Sequence, residues 1–261
     1  MSTLSPGPMF TAGTFAPAPR RNTAPAMLAA LTRLEATLLL RNSEQQLLTM
    51  MLPVTFLIGL TVLPIGTMPH PRIDTVFPVV LAVAIMSTGF TGQAIAIGFD
   101  RRYGALKRLG ANAIPKWAMI TGKSAAVVVV VALQTLLLGT IAAVLGWRPN
   151  LLEMLLTAAV ITVGTAAFAA LGLLLGGSLR AEIILALANI LWFLQLGLCS
   201  IATLPGTSST VQNLVELTPA GALSDALHQA NTGSLALSSL IVMAVWASAA
   251  AALARRTFTF A

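Results

Sequence analysis

The chain has 261 residues, of which 57% are apolar and only 9% charged, and its mean hydropathy is +0.88. Soluble globular domains carry about a quarter charged residues, so the composition excludes an ordinary soluble domain and points to an integral membrane protein. A net charge of +7 would suit a nucleic-acid binder, but the charge sits at the ends of apolar runs rather than on one basic face, which argues against nucleic acid as a partner.

Taken in chain order, residues 1–25 hold Pro6, Pro8, Pro17, Pro19 and Pro25 among Ser, Thr, Ala and Gly. No apolar core precedes a small-residue cleavage site, so this segment is expected to be a disordered tail rather than a signal peptide. Over 26–42, Met27, Leu31, Leu34 and Leu38 recur at helical spacing with Arg33 opposite. This predicts a helix lying in the membrane interface, with a cytoplasmic extension of the first span as the alternative. Glu35 and Arg41 flank the apolar stripe, where they are placed to meet protein rather than lipid headgroups.

Uncharged runs at 45–71, 75–99, 124–147, 154–179, 183–215 and 229–254 are each long enough for the roughly 20 residues that cross about 30 Å of hydrocarbon. Six spans are predicted, near 47–66, 76–98, 117–145, 151–176, 183–204 and 233–254. Each run is continuously apolar, which suits helices, whereas barrel strands alternate in polarity. The expected fold is therefore an all-α, polytopic membrane protein, with 26–261 as one six-span domain behind the tail.

Lysine and arginine set the orientation. Thirteen fall on one side (Arg20, Arg21, Arg33, Arg41, Arg101, Arg102, Lys107, Arg108, Lys116, Lys123, Arg180, Arg255, Arg256) and two, Arg72 and Arg148, on the other. This is the positive-inside pattern, and it puts both termini in the cytoplasm.

Between spans two and three lies a compact basic segment, Phe99-Asp100-Arg101-Arg102-Tyr103-Gly104-Ala105-Leu106-Lys107-Arg108-Leu109-Gly110. Phe99, Tyr103 and Leu106 share one helical face, with Leu109 at its edge, and Arg101 and Arg108 align on the other. A short amphipathic cytoplasmic helix is expected, ended by Gly110, with Pro115 starting the third span. A basic loop that merely anchors topology is the alternative. Gly122-Lys123-Ser124 copies the tail of a phosphate loop, but Trp117 stands where the first glycine is required and no strand precedes it. Lys123 is instead expected to reach back to the interface on its long stem.

Within the spans, Gln93, Gln134, Asn189 and Gln195 are the larger uncharged polar side chains. They either line a path or hydrogen-bond between helices. No ionisable group lies mid-span, which argues against a proton- or sodium-coupled carrier and suits an amphipathic or apolar cargo. Gly172 and Gly176 form a small-xxx-small pair that allows close helix contact. Cys199 has no partner in the chain and is expected to be a packing residue. His70 and His228 lie far apart in sequence, and no His/Cys/Glu grouping has metal-ligand spacing. A membrane acyltransferase or protease built on Asp225 and His228, three residues apart, stays open as an alternative.

The order Asp-Arg-Arg-x-Gly-x-Leu-Lys-Arg-Leu, followed by Pro115, Trp117 and Gly122-Lys123, resembles the cytoplasmic signature between spans two and three of ABC-type-2 transporter permeases of the drug and lipid exporter branch. The interfacial helix, the six-span layout and Leu217-Thr218-Pro219 with Leu223 and Leu227 extend the resemblance over most of the chain from residue 26. Two departures stand out: Asp100 where a glutamate is usual, and Ala105 where a small polar residue is common.

The resemblance implies a permease without catalytic residues or bound cofactor of its own, with ATP and magnesium on a separate cytoplasmic ABC ATPase. It implies that Phe99, Asp100, Arg101, Arg102, Tyr103, Gly104, Leu106, Lys107, Arg108 and Leu109 form the ATPase-docking segment, a coupling helix in which Gly104 permits close backbone approach. It further implies export across the plasma membrane, a second permease copy as homodimer partner, and an outer helical hairpin before span six. For that hairpin Leu214, Leu217, Leu223 and Leu227 would supply partly buried apolar residues, with Pro219 separating or starting a helix. A non-transport membrane enzyme, or a scaffold recruiting a cytoplasmic partner, is the other function class. Twelve arginines against three lysines fit a GC-rich bacterial source.

Overall fold

The computed structural model describes residues 23–63, 70–105, 114–203 and 208–257, and all regular structure among them is helical. Helix α1 covers Ala24–Arg41 and α2 covers Ser43–Val62. Helix α3 runs as one rod over Ile73–Arg102, with a π-helical segment, Met86–Gly92, between two α-helical parts. Then come α4 (Lys116–Val144), α5 (Leu151–Ser178), α6 (Ala181–Thr203), the short α7 (Ser209–Glu216) and α8 (Pro219–Asn231), and α9 (Leu237–Thr257).

Five of these helices, α3, α4, α5, α6 and α9, are long and apolar enough to cross a bilayer, and they fall on the second to sixth predicted runs. Helix α2 falls on the first run but contributes a shorter apolar stretch, Thr49–Val62, below the roughly 20 residues a span needs. Among the described residues, then, five span-length helices stand against the six expected. Of the predicted tail, residues 1–22 lie outside the described residues.

Apolar on every side, α3 becomes the centre of the bundle. In its most apolar window 78% of residues are buried, against 22% in α6 and in α9, which present most of their surface outward. Ile73, Phe77, Val80, Leu81, Ile85 and Met86 are all essentially inaccessible. Helix α5 packs against the π segment and the second half of α3, and its other sides meet α8 and α9.

The predicted glycine pair makes the α3–α5 contact possible. A Cβ at Gly172 would lie 2.8 Å from the carbonyl oxygens of both Gly89 and Phe90, and one at Gly176 would lie 2.7 Å from the Ala94 oxygen. The clashing atoms are backbone, so no side-chain rotation relieves them. Such close approach of small residues favours helix packing in lipid.

Helix α1 lies along the first half of α4. Leu31, Glu35 and Ala36 are buried there, whereas Leu34 and Leu38 are exposed. The predicted stripe is thus split between a protein face and an outward face, because the α4 contact takes Glu35 inward.

At the end of the bundle away from the arginine-rich segment, Trp147 Nε1 donates to Asn231 Oδ1 at 2.9 Å, and Asn231 Nδ2 donates to the Asp74 carbonyl at 3.0 Å. The Trp147 ring meets Phe77 with centroids 4.3 Å apart. One asparagine therefore joins the end of α8, the start of α3 and the α4–α5 turn. Asn150 and Glu153 start α5 with a reciprocal capping box.

As expected, Pro219 starts a helix: Thr218 caps α8, its Oγ1 accepting from the Gly221 amide at 3.1 Å. Leu223 and Leu227 are fully buried, Leu223 against Gly164. Leu214 and Leu217 are more than half exposed, so the partial burial expected of this region is divided unevenly: α8 inserts among the long helices, and these two leucines face outward. Cys199 is a packing residue, its thiol donating to the Ala220 carbonyl at 3.3 Å.

Replacing Gly172 by leucine is expected to displace α5 from α3 and destabilise the fold by about 1–3 kcal/mol or more, whereas Gly197→Leu, where a Cβ meets nothing within 4 Å, should be tolerated. Thermal unfolding of both variants in mild detergent distinguishes these outcomes.

Candidate functional site

The predicted docking segment opens with the last turn of α3. Phe99 through Arg102 continue the membrane helix instead of starting a separate one, which corrects the expected helix start at Phe99. The hydrogen-bond ladder meets no breaker until Gly104. There φ is +70°, and the amides of Tyr103 and Gly104 turn back to the Phe99 and Arg101 carbonyls. That is a left-handed glycine stop, for which the missing Cβ is the reason. Among the described residues the space around Gly104 is open, so within the chain its role is the turn. Helical structure resumes at Ala105, while Leu106, Lys107, Arg108 and Leu109 lie outside the described residues.

Three consecutive side chains at this turn reach three different neighbours. Asp100 Oδ2 accepts from Lys123 Nζ of α4 at 2.7 Å, and the same ammonium donates to Glu35 Oε2 of α1 at 2.8 Å. Arg101 Nη1 donates to the Gly176 and Leu179 carbonyls, at 3.3 and 3.1 Å, at the end of α5. That is a cation where the helix dipole is negative. Arg102 pairs with Glu182 in the first turn of α6. Phe99 and Tyr103 stack with centroids 5.9 Å apart, and Tyr103 is 69% exposed.

Lys123 is the main correction to sequence reasoning. Its side chain is only 7% exposed; it does not reach out to the interface but points inward, between two carboxylates. A buried ammonium needs such partners, because desolvation costs several kcal/mol per ion. The signal was present as two unexplained charges: Glu35 beside an apolar stripe and Lys123 inside an apolar run.

The four in-span amides do not converge on one place. Gln134 Oε1 accepts from Thr88 Oγ1 at 2.9 Å, a bond between the π segment and α4. Gln93, buried, lines with Thr88 a small cavity of about 20 Å3. Asn189 is exposed, its Nδ2 donating to Leu185 of its own helix, and it lines a groove of about 490 Å3 between α2, the π segment and α6. Thr91 and Trp192 share that groove. Their Oγ1 and Nε1, like Gln195 Oε1 further along α6, are buried with no hydrogen-bond partner among the described residues. The enzyme alternative finds no support in geometry. The Asp225 carboxylate is taken by Ser239 Oγ at 2.6 Å and by Gln229 Nε2, while His228 is exposed and not bonded to it.

A sequence profile of the ABC-2 type transporter family matches residues 27–220, which is most of the chain, and the protein belongs to that family. It is a multi-pass membrane protein and a transporter permease subunit, not itself a catalytic enzyme, and the family implies association with an ABC ATPase. No individual curated protein matches the sequence.

Lys123→Met should destabilise the protein by about 3–5 kcal/mol, because it leaves two carboxylates facing each other without a cation. Asp100→Asn should cost less, since the Lys123–Glu35 pair survives. Replacing Glu35, Lys123 and Asp100 together by Gln, Met and Asn should recover most of the loss. Thermal midpoints of the three proteins in detergent provide the check.

Proposed function

We propose that this chain is the membrane subunit of an ATP-driven exporter that moves an amphipathic or apolar, drug- or lipid-like substrate across the plasma membrane. A cytoplasmic ATPase supplies ATP hydrolysis and seats on the segment 99–110, and two permease copies form a homodimer. Both termini lie in the cytoplasm, with α2 as the first of six spans. The positive-inside count supports this orientation. So does the use of Arg72 and Arg148, the two arginines on the opposite side. Arg72 Nε donates to the Leu60 carbonyl at 3.1 Å, and Arg148 Nη1 to the carbonyls of Ala143 and Trp147. Both are spent on the ends of helices.

The observation that carries the proposal is the anchoring of the α3 end. Through Asp100, Arg101 and Arg102 the turn is fixed to α1, α4, α5 and α6. A displacement applied by a partner at 103–110 is thereby handed to four other helices at once. Arg102 and Tyr103, the exposed residues at the tip, offer a cation and an aromatic ring, the residue types that dominate interface energies. The groove beside Asn189, Thr91 and Trp192 is the proposed cargo route, since its apolar wall with few polar groups suits an amphipathic molecule. Gln93, Gln134 and Gln195 are assigned to the surrounding packing.

Leu106→Asp is expected to abolish ATP-dependent transport by the reconstituted permease–ATPase complex while leaving membrane insertion intact. Normal transport by that variant would remove the docking assignment. Asn189→Trp, which fills the groove, should slow transport severalfold without lowering the amount of ATPase that co-purifies; unchanged transport would place the route elsewhere.

A further inference from the structure

A second cavity, of about 590 Å3, opens at the arginine-rich end of the bundle, between the last turn of α3 and the two-residue connection from α5 to α6. It is an open cleft rather than an enclosed pocket, so it can seat one end of a molecule whose remainder stays outside. Arg101, Arg102 and Arg180 stand around it with a single carboxylate, Glu182. Three cations against one anion leave a surplus of two positive charges. Ala181 and Glu182 form one wall and are the first residues of α6, so the positive end of that helix faces the same region. Arg180 is exposed and makes no ion pair among the described residues.

Arg101 is held by the α5 carbonyls, which fixes its charge at the wall. The Arg102–Glu182 pair is half exposed on both sides. Only Nη1 of Arg102 is engaged by Glu182, and a guanidinium has five N–H donors, so Arg102 is able to meet a second anion while it keeps Glu182. Below the arginines the lining becomes apolar, with Gly98 and the half-exposed Ile183. The cavity therefore has a cationic rim at the level where spans end and an apolar floor on the membrane side. A wholly polar acidic peptide matches only the rim. A molecule with one anionic end and an apolar body matches both.

We propose that this cavity binds the phosphate headgroup of an anionic phospholipid from the leaflet next to the arginine-rich end, with Arg180 and Arg102 as its ligands and Ile183 against the start of the acyl chains. Basic pockets between transmembrane helices at the cytoplasmic interface are suited to such headgroups. The site lies apart from the α2–α6 groove and uses the charge that the turn of α3 leaves on its outer side.

The test uses the full chain, delipidated in mild detergent, with phosphatidylglycerol and phosphatidylcholine offered in equal amounts and retained lipid counted by native mass spectrometry. Neither transport nor an ATPase is needed, so the result is independent of the exporter reading. Phosphatidylglycerol should be retained in preference, and Arg180→Gln should weaken its retention about fivefold, the weight of one interfacial arginine. Arg256→Gln, an equal loss of charge on the exposed end of α9, should leave retention unchanged. Equal retention of the two lipids, or equal losses in the two variants, overturns the proposal. Displacement of phosphatidylglycerol by inorganic phosphate at matched concentration also overturns it, by reducing the cavity to a simple anion site.

Discussion

A charge buried near the end of a membrane helix must be answered by charge from somewhere else in the chain, and Lys123 meets that demand with Glu35 from α1 and Asp100 from α3. The three residues are far apart in sequence, so satisfying one ammonium brings three helices together at the arginine-rich end. Removing water from these groups costs several kcal/mol each, and that cost is offset only when all are present and well placed. The constraint also fixes the azimuth of α1. With Glu35 turned toward α4, Leu34 and Leu38 are left on the outward face, where lipid can accommodate them.

The same end illustrates a difference between local and collective roles of charge. Arg101 and Arg102 satisfy the topology requirement merely by being positive, yet each also has a specific neighbour, one at the end of α5 and one at the start of α6. Ion pairs at exposed positions contribute little stability. Their value here is geometric, because the last turn of α3 is held in a defined place relative to four helices. At the opposite end Asn231 does comparable work with neutral hydrogen bonds, joining Trp147 and the Asp74 carbonyl. Between the two ends, the backbone-to-backbone approach of α5 and α3 at Gly172 and Gly176 leaves no slack. The π segment Met86–Gly92 lies at this contact, so the carbonyls of Gly89 and Phe90 that face Gly172 belong to the one stretch of α3 whose backbone departs from α-helical winding.

Much of the architecture was legible from hydropathy, because in lipid a span must be both long and apolar and few other patterns satisfy that. The predicted runs at 117–145, 151–176 and 183–204 match α4, α5 and α6 within a few residues. The glycine pair was visible as a spacing, and its partner helix was not. Periodicity at 99–110 misjudged where the helix begins, since an amphipathic pattern does not record whether a preceding membrane helix continues into it. The outer leucines show the same limit: Leu214 and Leu223 are identical as residues, but one lies on exposed α7 and the other against Gly164. The in-span amides were left between two roles, and Gln134 with Thr88 took the hydrogen-bonding one.

By itself the sequence determined that this protein lives in a membrane, roughly where its long helices run, which end is arginine-rich and which family its signature resembles. These follow from composition and from short motifs, which need no knowledge of neighbours. Only the tertiary structure decided that Lys123 turns inward, that Asp100 answers it, that Asn189 lines a groove while Gln134 does not, and that three arginines surround one cavity. Each of those depends on which faces of distant helices meet, and pairwise proximity across a bundle is not written in the order of residues along one chain.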